Sequence, residues 1–220
     1  MSPLFAAENG AARRTGPATT RLKRTTSLPL VAEETPPRDR EIRRCLVERL
    51  RETHGVRVVE ELALLRGEIR ADIALISSRF DGFEIKSRHD SLARLPKQRA
   101  IYSRVFDRVT LVTSPHHLKR ARRMIPSWWG IWTARSDGGV LDISELRAPE
   151  ENPQVDVEAL VQLFWKDELI EILRSREGGS GLQNRTRRDL CRRLVDQVPH
   201  SELKRSVREM LGRRENWRPV

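Results

Sequence analysis

Two short apolar runs, Arg70-Ala71-Asp72-Ile73-Ala74-Leu75-Ile76 and Gly82-Phe83-Glu84-Ile85-Lys86-Ser87, are joined by a short turn and read as adjacent β-strands. Side chains alternate faces along a strand, so Phe83 and Ile85 point one way while Glu84 and Lys86 point the other. A turn over residues 77–82 allows a hairpin register that pairs Asp72 with Lys86 and Ala74 with Glu84, leaving three charges on one face of the sheet. Two carboxylates and an ammonium within otherwise apolar strands are costly unless a cation or an anionic substrate compensates them. A metal-dependent phosphodiester hydrolase needs such a set.

The surrounding pattern frames these strands. A helix is expected from about Arg38 to Thr53, with Ile42, Cys45, Leu46 and Leu50 at helical spacing, stopped by Gly55. Val56 to Leu65 reads as a strand that Glu60 and Glu61 interrupt. Beyond the central pair come a helix from Leu95 to Phe106 with Pro96 in its first turn, a buried strand from Val109 to Thr113, and a helix from His116 to Met124. Trp129 to Ala134 and Val140 to Ile143 bracket Ser136-Asp137-Gly138-Gly139 as a hairpin. Consecutive strands with helices on either side predict an α/β fold, a mixed β-sheet in a three-layer arrangement. Pro149 to Pro153 marks a linker, and helical patterns follow over Val155–Arg174, Thr186–Val198 and Ser201–Arg214. The expected organisation is a disordered basic arm over 1–37, a central domain over 38–148, and a helical appendix over 154–220.

Charge separates these regions. Of 220 residues, 42 are Lys or Arg and 31 Asp or Glu, a formal net charge of +11. Residues 1–38 carry +3, residues 39–173 only +1, and residues 174–220 carry +7. A nearly neutral body with basic ends suits polyanions such as nucleic acid as partners. On the predicted helix over 186–198, Arg187, Arg188, Arg192 and Arg193 form a basic stripe for phosphates, unless that helix pair dimerises or is simply solvated. Cys45 and Cys191 have neither disulfide nor zinc spacing, which points to a reducing compartment such as the cytoplasm. No apolar stretch approaches the roughly 20 residues of a membrane span.

Asp72 and Glu84 are hard oxygen ligands of the kind Mg²⁺ or Mn²⁺ takes. Lys86 would orient an attacking water or balance charge in the transition state. At this point the chain resembles the PD-(D/E)xK nuclease superfamily, the restriction-endonuclease-like fold, over roughly residues 38–135. Asp72 stands for the motif's Asp, and Glu84-Ile85-Lys86 for its (D/E)-x-K, with Ala71 where the motif name has Pro. The wording around Glu61-Leu62, Arg94-Leu95-Pro96-Lys97-Gln98 and Trp128-Trp129-Gly130 is similar to a branch of small bacterial and phage proteins in that superfamily. The resemblance implies the element order α-β-β-β-α-β-α-β and a Mg²⁺-dependent deoxyribonuclease, endo or exo. It also implies a first-helix glutamate in the metal site, for which Glu41 is the match and Glu61 the rival. It further implies a Gln-x-x-x-Tyr pair, Gln98 and Tyr102, with Gln98 near substrate or Lys86 and Tyr102 in packing. Many members act as homodimers. The alternative reading is a non-catalytic nucleic-acid-binding accessory protein that retains the fold; an RNA substrate is equally compatible with the residues.

Other polar residues point to structure. Asp90 reads as an N-terminal cap before Pro96. His116 and His117 lack partners at zinc spacing, and Trp128, Trp129 and Trp132 read as core.

Overall fold

The computed structural model describes residues 36–137, 140–177, 181–215 and 217. The arm expected over 1–37 lies, apart from Pro36 and Pro37, outside the described residues. The first helix, α1 (Asp39–Arg51), buries Ile42, Cys45, Leu46 and Leu50, the stripe that its spacing predicts. Strands β1 (Arg57–Leu64), β2 (Ile69–Ile76) and β3 (Phe80–Lys86) follow, then α2 (Leu95–Val105), β4 (Arg108–Thr113), α3 (Pro115–Arg122) and the pair β5 (Gly130–Asp137) and β6 (Val140–Arg147).

The six strands form one mixed sheet in the order β1-β2-β3-β4-β5-β6. β1, β2 and β3 pair antiparallel, β3, β4 and β5 parallel, and β6 returns antiparallel. The helix between β3 and β4 supplies the crossover that parallel neighbours require. On one face α1 packs against Ile73, Phe83, Ile85, Val112 and Trp132. On the other, α2 lays Tyr102 and Phe106 over the sheet. Gly82 lets α2 come close: a Cβ there would lie 2.5 Å from the Phe106 ring. Trp129 is fully buried and stacks on Tyr102 at 6.0 Å, and Trp132 meets Phe83 edge-on at 5.7 Å, so both are core residues.

The C-terminal region departs from expectation in one way. The single helix predicted over 155–174 is broken into α4 (Val157–Leu160), a 3₁₀ turn (Val161–Leu163) and α5 (Lys166–Glu177). Phe164, extended at φ −70 and ψ 141, is driven fully into the core there. The Glu168 carboxylate then restarts the helix by accepting the Trp165 N–H at 2.7 Å. The C-terminal helices follow the sheet as expected, and they pack onto it. Leu160 and Phe164, Leu190 of α6 (Arg187–Gln197), and Leu203 and Leu211 of α7 (His200–Arg213) share one core with Leu64, Ile76 and Tyr102. α2 alone cannot cover its face of a six-stranded sheet, so the C-terminal helices complete that layer. The expected linker is pinned as well, since Asn152 Nδ2 donates to the carbonyls of Ser103 at 2.7 Å and Phe106 at 2.8 Å. No helix among the described residues is long and apolar enough to cross a membrane.

A half-buried carboxyl in β3, Asp81, makes stability pH-dependent. Burial pushes Asp81 up to about 7, against the pull of Arg79 and Arg108. The folded chain therefore holds this proton more tightly than the unfolded chain does. The resulting stabilisation is complete below about pH 4 and is lost as the pH rises through about 7. Asp81→Asn is expected to stabilise the protein by about 1–2 kcal/mol near pH 8, with wild type and variant converging near pH 4.5 in thermal melts. A difference that instead widened toward acid would contradict this.

Candidate active site

The register of β2 on β3 runs Ile73↔Phe83, Ala74↔Gly82, Leu75↔Asp81 and Ile76↔Phe80. This corrects the expected pairing by two residues, because the turn closes early: the Ser77 N–H donates to the Arg79 carbonyl at 2.8 Å, and β3 already begins at Phe80. An even slip preserves the faces, so the three charges still share one side. Continuing the register brings Asp72 opposite Glu84 rather than Lys86. The ladder stops at Ile73, and beyond it Asp72 Oδ2 accepts the Ile85 N–H at 2.7 Å. A carboxylate thus takes the place of a strand carbonyl where the two strands part.

Glu84 has no solvent exposure and Lys86 is 4 % exposed. The Glu84 carboxylate accepts from Lys86 Nζ, from Gln98 Nε2, and from the Tyr102 hydroxyl at 2.5 Å. Lys86 Nζ also lies 3.3 Å from the Ile85 carbonyl. Gln98 and Tyr102 reach the same carboxylate because residues four apart share a helix face. Tyr102 therefore does more than pack, since it orients Glu84. The turn before α2 is capped by Ser91, whose Oγ accepts the Ala93 N–H at 3.1 Å. Asp90, expected in that role, instead accepts from the Ser87 N–H at 2.8 Å and the Ser87 hydroxyl at 2.6 Å.

Electrostatics follow from burial. Desolvation, then repulsion from Glu84, lifts Asp72 to about 7, while the Ile85 N–H and Arg43 pull it down. Burial also raises Glu84, with Lys86 opposing, and raises Tyr102 well above the ordinary phenol range, with Glu84 and Asp72 adding to it. The Glu84 charge thus makes the ionised form of Asp72 less favourable, beyond the effect of burial.

The residue that the sequence reading missed is Arg43. Its guanidinium donates to Asp39 Oδ2 at 3.0 Å, to Asp72 Oδ1 at 2.9 Å and to Glu61 Oε1, tying α1 to β1 and β2. Asp39 and Arg43 stand four apart at the start of α1, a spacing that puts them on one helix face and was the available signal. Of the two glutamates expected to complete a metal shell, Glu41 is not brought into this cluster. It accepts the Arg38 N–H at 2.8 Å and caps α1. Glu61 does reach the cluster, through Arg43, and holds φ at +53°, a left-handed conformation uncommon for a glutamate in a strand.

Among the described residues no group of three His, Cys, Asp or Glu gathers at metal-ligand spacing. Asp72 and Glu84 are oxygen donors of the type a hard divalent cation takes, and both oxygens of Glu84 are engaged, Oε1 by Lys86 and Gln98 and Oε2 by Tyr102. The place beside Asp72 that a third carboxylate would fill is held by the Arg43 guanidinium.

The expected basic stripe on α6 is divided. Arg187 turns inward and donates to the carbonyls of Phe164, at 2.8 and 3.0 Å, and Gln162. Arg188 and Arg192 are exposed, and Arg193 is half-buried.

Comparison with known proteins adds three findings. The profile of a family described as bacteriophage P4 protein cII matches residues 33–218. Protein cII of Enterobacteria phage P4 is 23% identical over 150 residues, 68% of this chain and 56% of that protein. The chain thus spans just over half the length of this curated relative. A solved protein of unknown function from Silicibacter pomeroyi is 23% identical, with a TM-score of 0.36, over 60% of this chain and 87% of its own.

Proposed function

The chain belongs to the bacteriophage P4 protein cII family, and for this member we propose a metal-dependent nuclease that hydrolyses DNA phosphodiester bonds at Asp72, Glu84 and Lys86. The observation that carries the reading is Glu84: a fully buried carboxylate held by an ammonium, an amide and a phenol, beside the half-buried carboxylate of Asp72. Apolar side chains of similar volume would serve the sheet as well or better, so stability alone does not account for the set.

Asp72 and Glu84 would hold Mg²⁺ or Mn²⁺, which when bound supplies Lewis-acid polarisation of a phosphate oxygen and a more acidic water. Lys86 is the basic side chain paired with Glu84. Its ammonium positions the attacking water and offsets charge that builds on the phosphate. Gln98 and Tyr102 keep Glu84 in one orientation, and the Ile85 N–H does the same for Asp72. Arg43 supplies a fixed positive charge at the edge of the cluster. Cleavage of both strands at one position would call for the homodimer that the resemblance implies.

The test is incubation of the purified chain with plasmid and single-stranded DNA in Mg²⁺, in Mn²⁺ and in EDTA. Cleavage in either metal and none in EDTA is expected. Arg43 favours a second reading, in which a protein cation has replaced the metal and the chain is a non-catalytic nucleic-acid-binding accessory. Metal-independent DNA binding without cleavage of any substrate would support that alternative.

A further inference from the structure

Among the described residues the outer edge of β1 is unpaired, and it borders a recess of about 810 Å³. Every residue from Arg57 to Ala63 lines it, so the strand presents its edge and not one face. An open edge strand is ordinarily guarded against pairing with another chain, and here the guard is charge. Glu60 and Glu61 are the acidic residues of the lining, and both turn to arginines, Arg51 at 3.7 Å and Arg43. Arg57 donates to the carbonyls of Gly212, at 3.1 Å, and Arg214, while Arg187 donates to those of Gln162 and Phe164. Neutral carbonyls leave those positive charges in place.

Arg66 completes the rim. Leu65, Arg66 and Gly67 all hold positive φ, at 46°, 63° and 85°, and this strained turn leaves Arg66 exposed. Arg66 also lines a second recess, of about 620 Å³, with Arg188 and Arg192. The two recesses therefore meet at Arg66 and Arg187. Trp165 and Trp217, both half-buried, line the first recess on either side of Arg214, whose guanidinium lies 4.1 and 4.7 Å from their rings. Glu61 also lines the recess and shares Arg43 with Asp72.

We propose that this recess is the track for a single strand of nucleic acid, with Arg66 and Arg70 contacting phosphates, Trp165 and Trp217 offering stacking surfaces, and the strand leading past Glu61 to Asp72. Positive charge along a groove with aromatic side chains is the chemistry by which single strands are held. The proposal specifies the substrate of the nuclease reading and rests on that reading only for what happens at Asp72.

The experiment is fluorescence anisotropy of a labelled single-stranded oligodeoxynucleotide with the full chain in EDTA, across a salt series. Wild type is compared with Arg66→Ala/Arg70→Ala, both exposed positions, with a thermal melt of each preparation to confirm that the fold is kept. The variant is expected to bind about tenfold more weakly, with a salt slope lower by about 1.4, two phosphate contacts on a single strand. Unchanged affinity and slope, or wild-type binding to duplex alone, would overturn the track whether or not the protein cleaves DNA. A lowered slope without cleavage in Mg²⁺ would uphold the track and remove the nuclease reading.

Discussion

Lys86→Met is expected to lower the rate of metal-dependent DNA cleavage by about 10²–10³-fold, the loss that follows removal of one charge-stabilising group from a closed site. The same change removes the ammonium from a Glu84 carboxylate with no solvent exposure. Breaking a buried pair on one side costs about 3–5 kcal/mol, so lost activity in this variant alone would be ambiguous. The double variant Glu84→Gln/Lys86→Met separates the effects. It leaves no buried charge at either position, and Gln98 and Tyr102 keep an amide to bond. Its melting temperature is expected to return toward wild type while cleavage stays lost. A double variant that regained cleavage together with stability would show the pair to be structural. The measurements are thermal melts and initial cleavage rates on the same preparations.

Arg214→Ala should be the most destabilising change outside the site. Arg214 Nε and Nη2 grip both oxygens of Glu168, at 2.9 and 2.5 Å, and Nη2 also donates to the Leu163 carbonyl at 3.0 Å. The guanidinium is 7 % exposed and lies against Trp165 and Trp217. Truncation strands the Glu168 carboxylate and opens the space between the rings. The expected cost is about 3–5 kcal/mol, a drop in melting temperature of about 6–20 °C for a chain of this size. Because the C-terminal helices share their core with β2 and α2, the whole protein should melt in one shifted transition. Separate loss of the helices, with the sheet unfolding as in wild type, would show instead that they melt as a unit of their own.

What could be read in advance was what depends on local period. Alternation along β3 put Glu84 and Lys86 on the face opposite Phe83 and Ile85, and the four-residue spacing of Gln98 and Tyr102 put both on one side of α2. The β2–β3 register was missed by two because it depends on where the turn closes, and Ser77–Arg79 closes it sooner than the Gly82 signal suggests. Glu41 is expected at the site, yet Asp39 and Arg43 stand there, because only tertiary contact decides which side of the first turn of α1 meets β2. Arg187 was read as a phosphate contact because its partner carbonyls lie 23 and 25 residues earlier, in a turn that an unbroken helix would not have. Local pattern marked the acid–lysine set; packing chose what surrounds it.

The central claim is that Asp72 and Glu84 together hold a divalent cation. Crystals soaked in Mn²⁺ and measured at the manganese absorption edge test it most directly. The account predicts an anomalous peak between the two carboxylates, about 2.1–2.2 Å from an oxygen of each, near the spacing that Mg²⁺ takes with oxygen ligands. No peak there at saturating Mn²⁺, with Arg43 still bonded to Asp72, would contradict it.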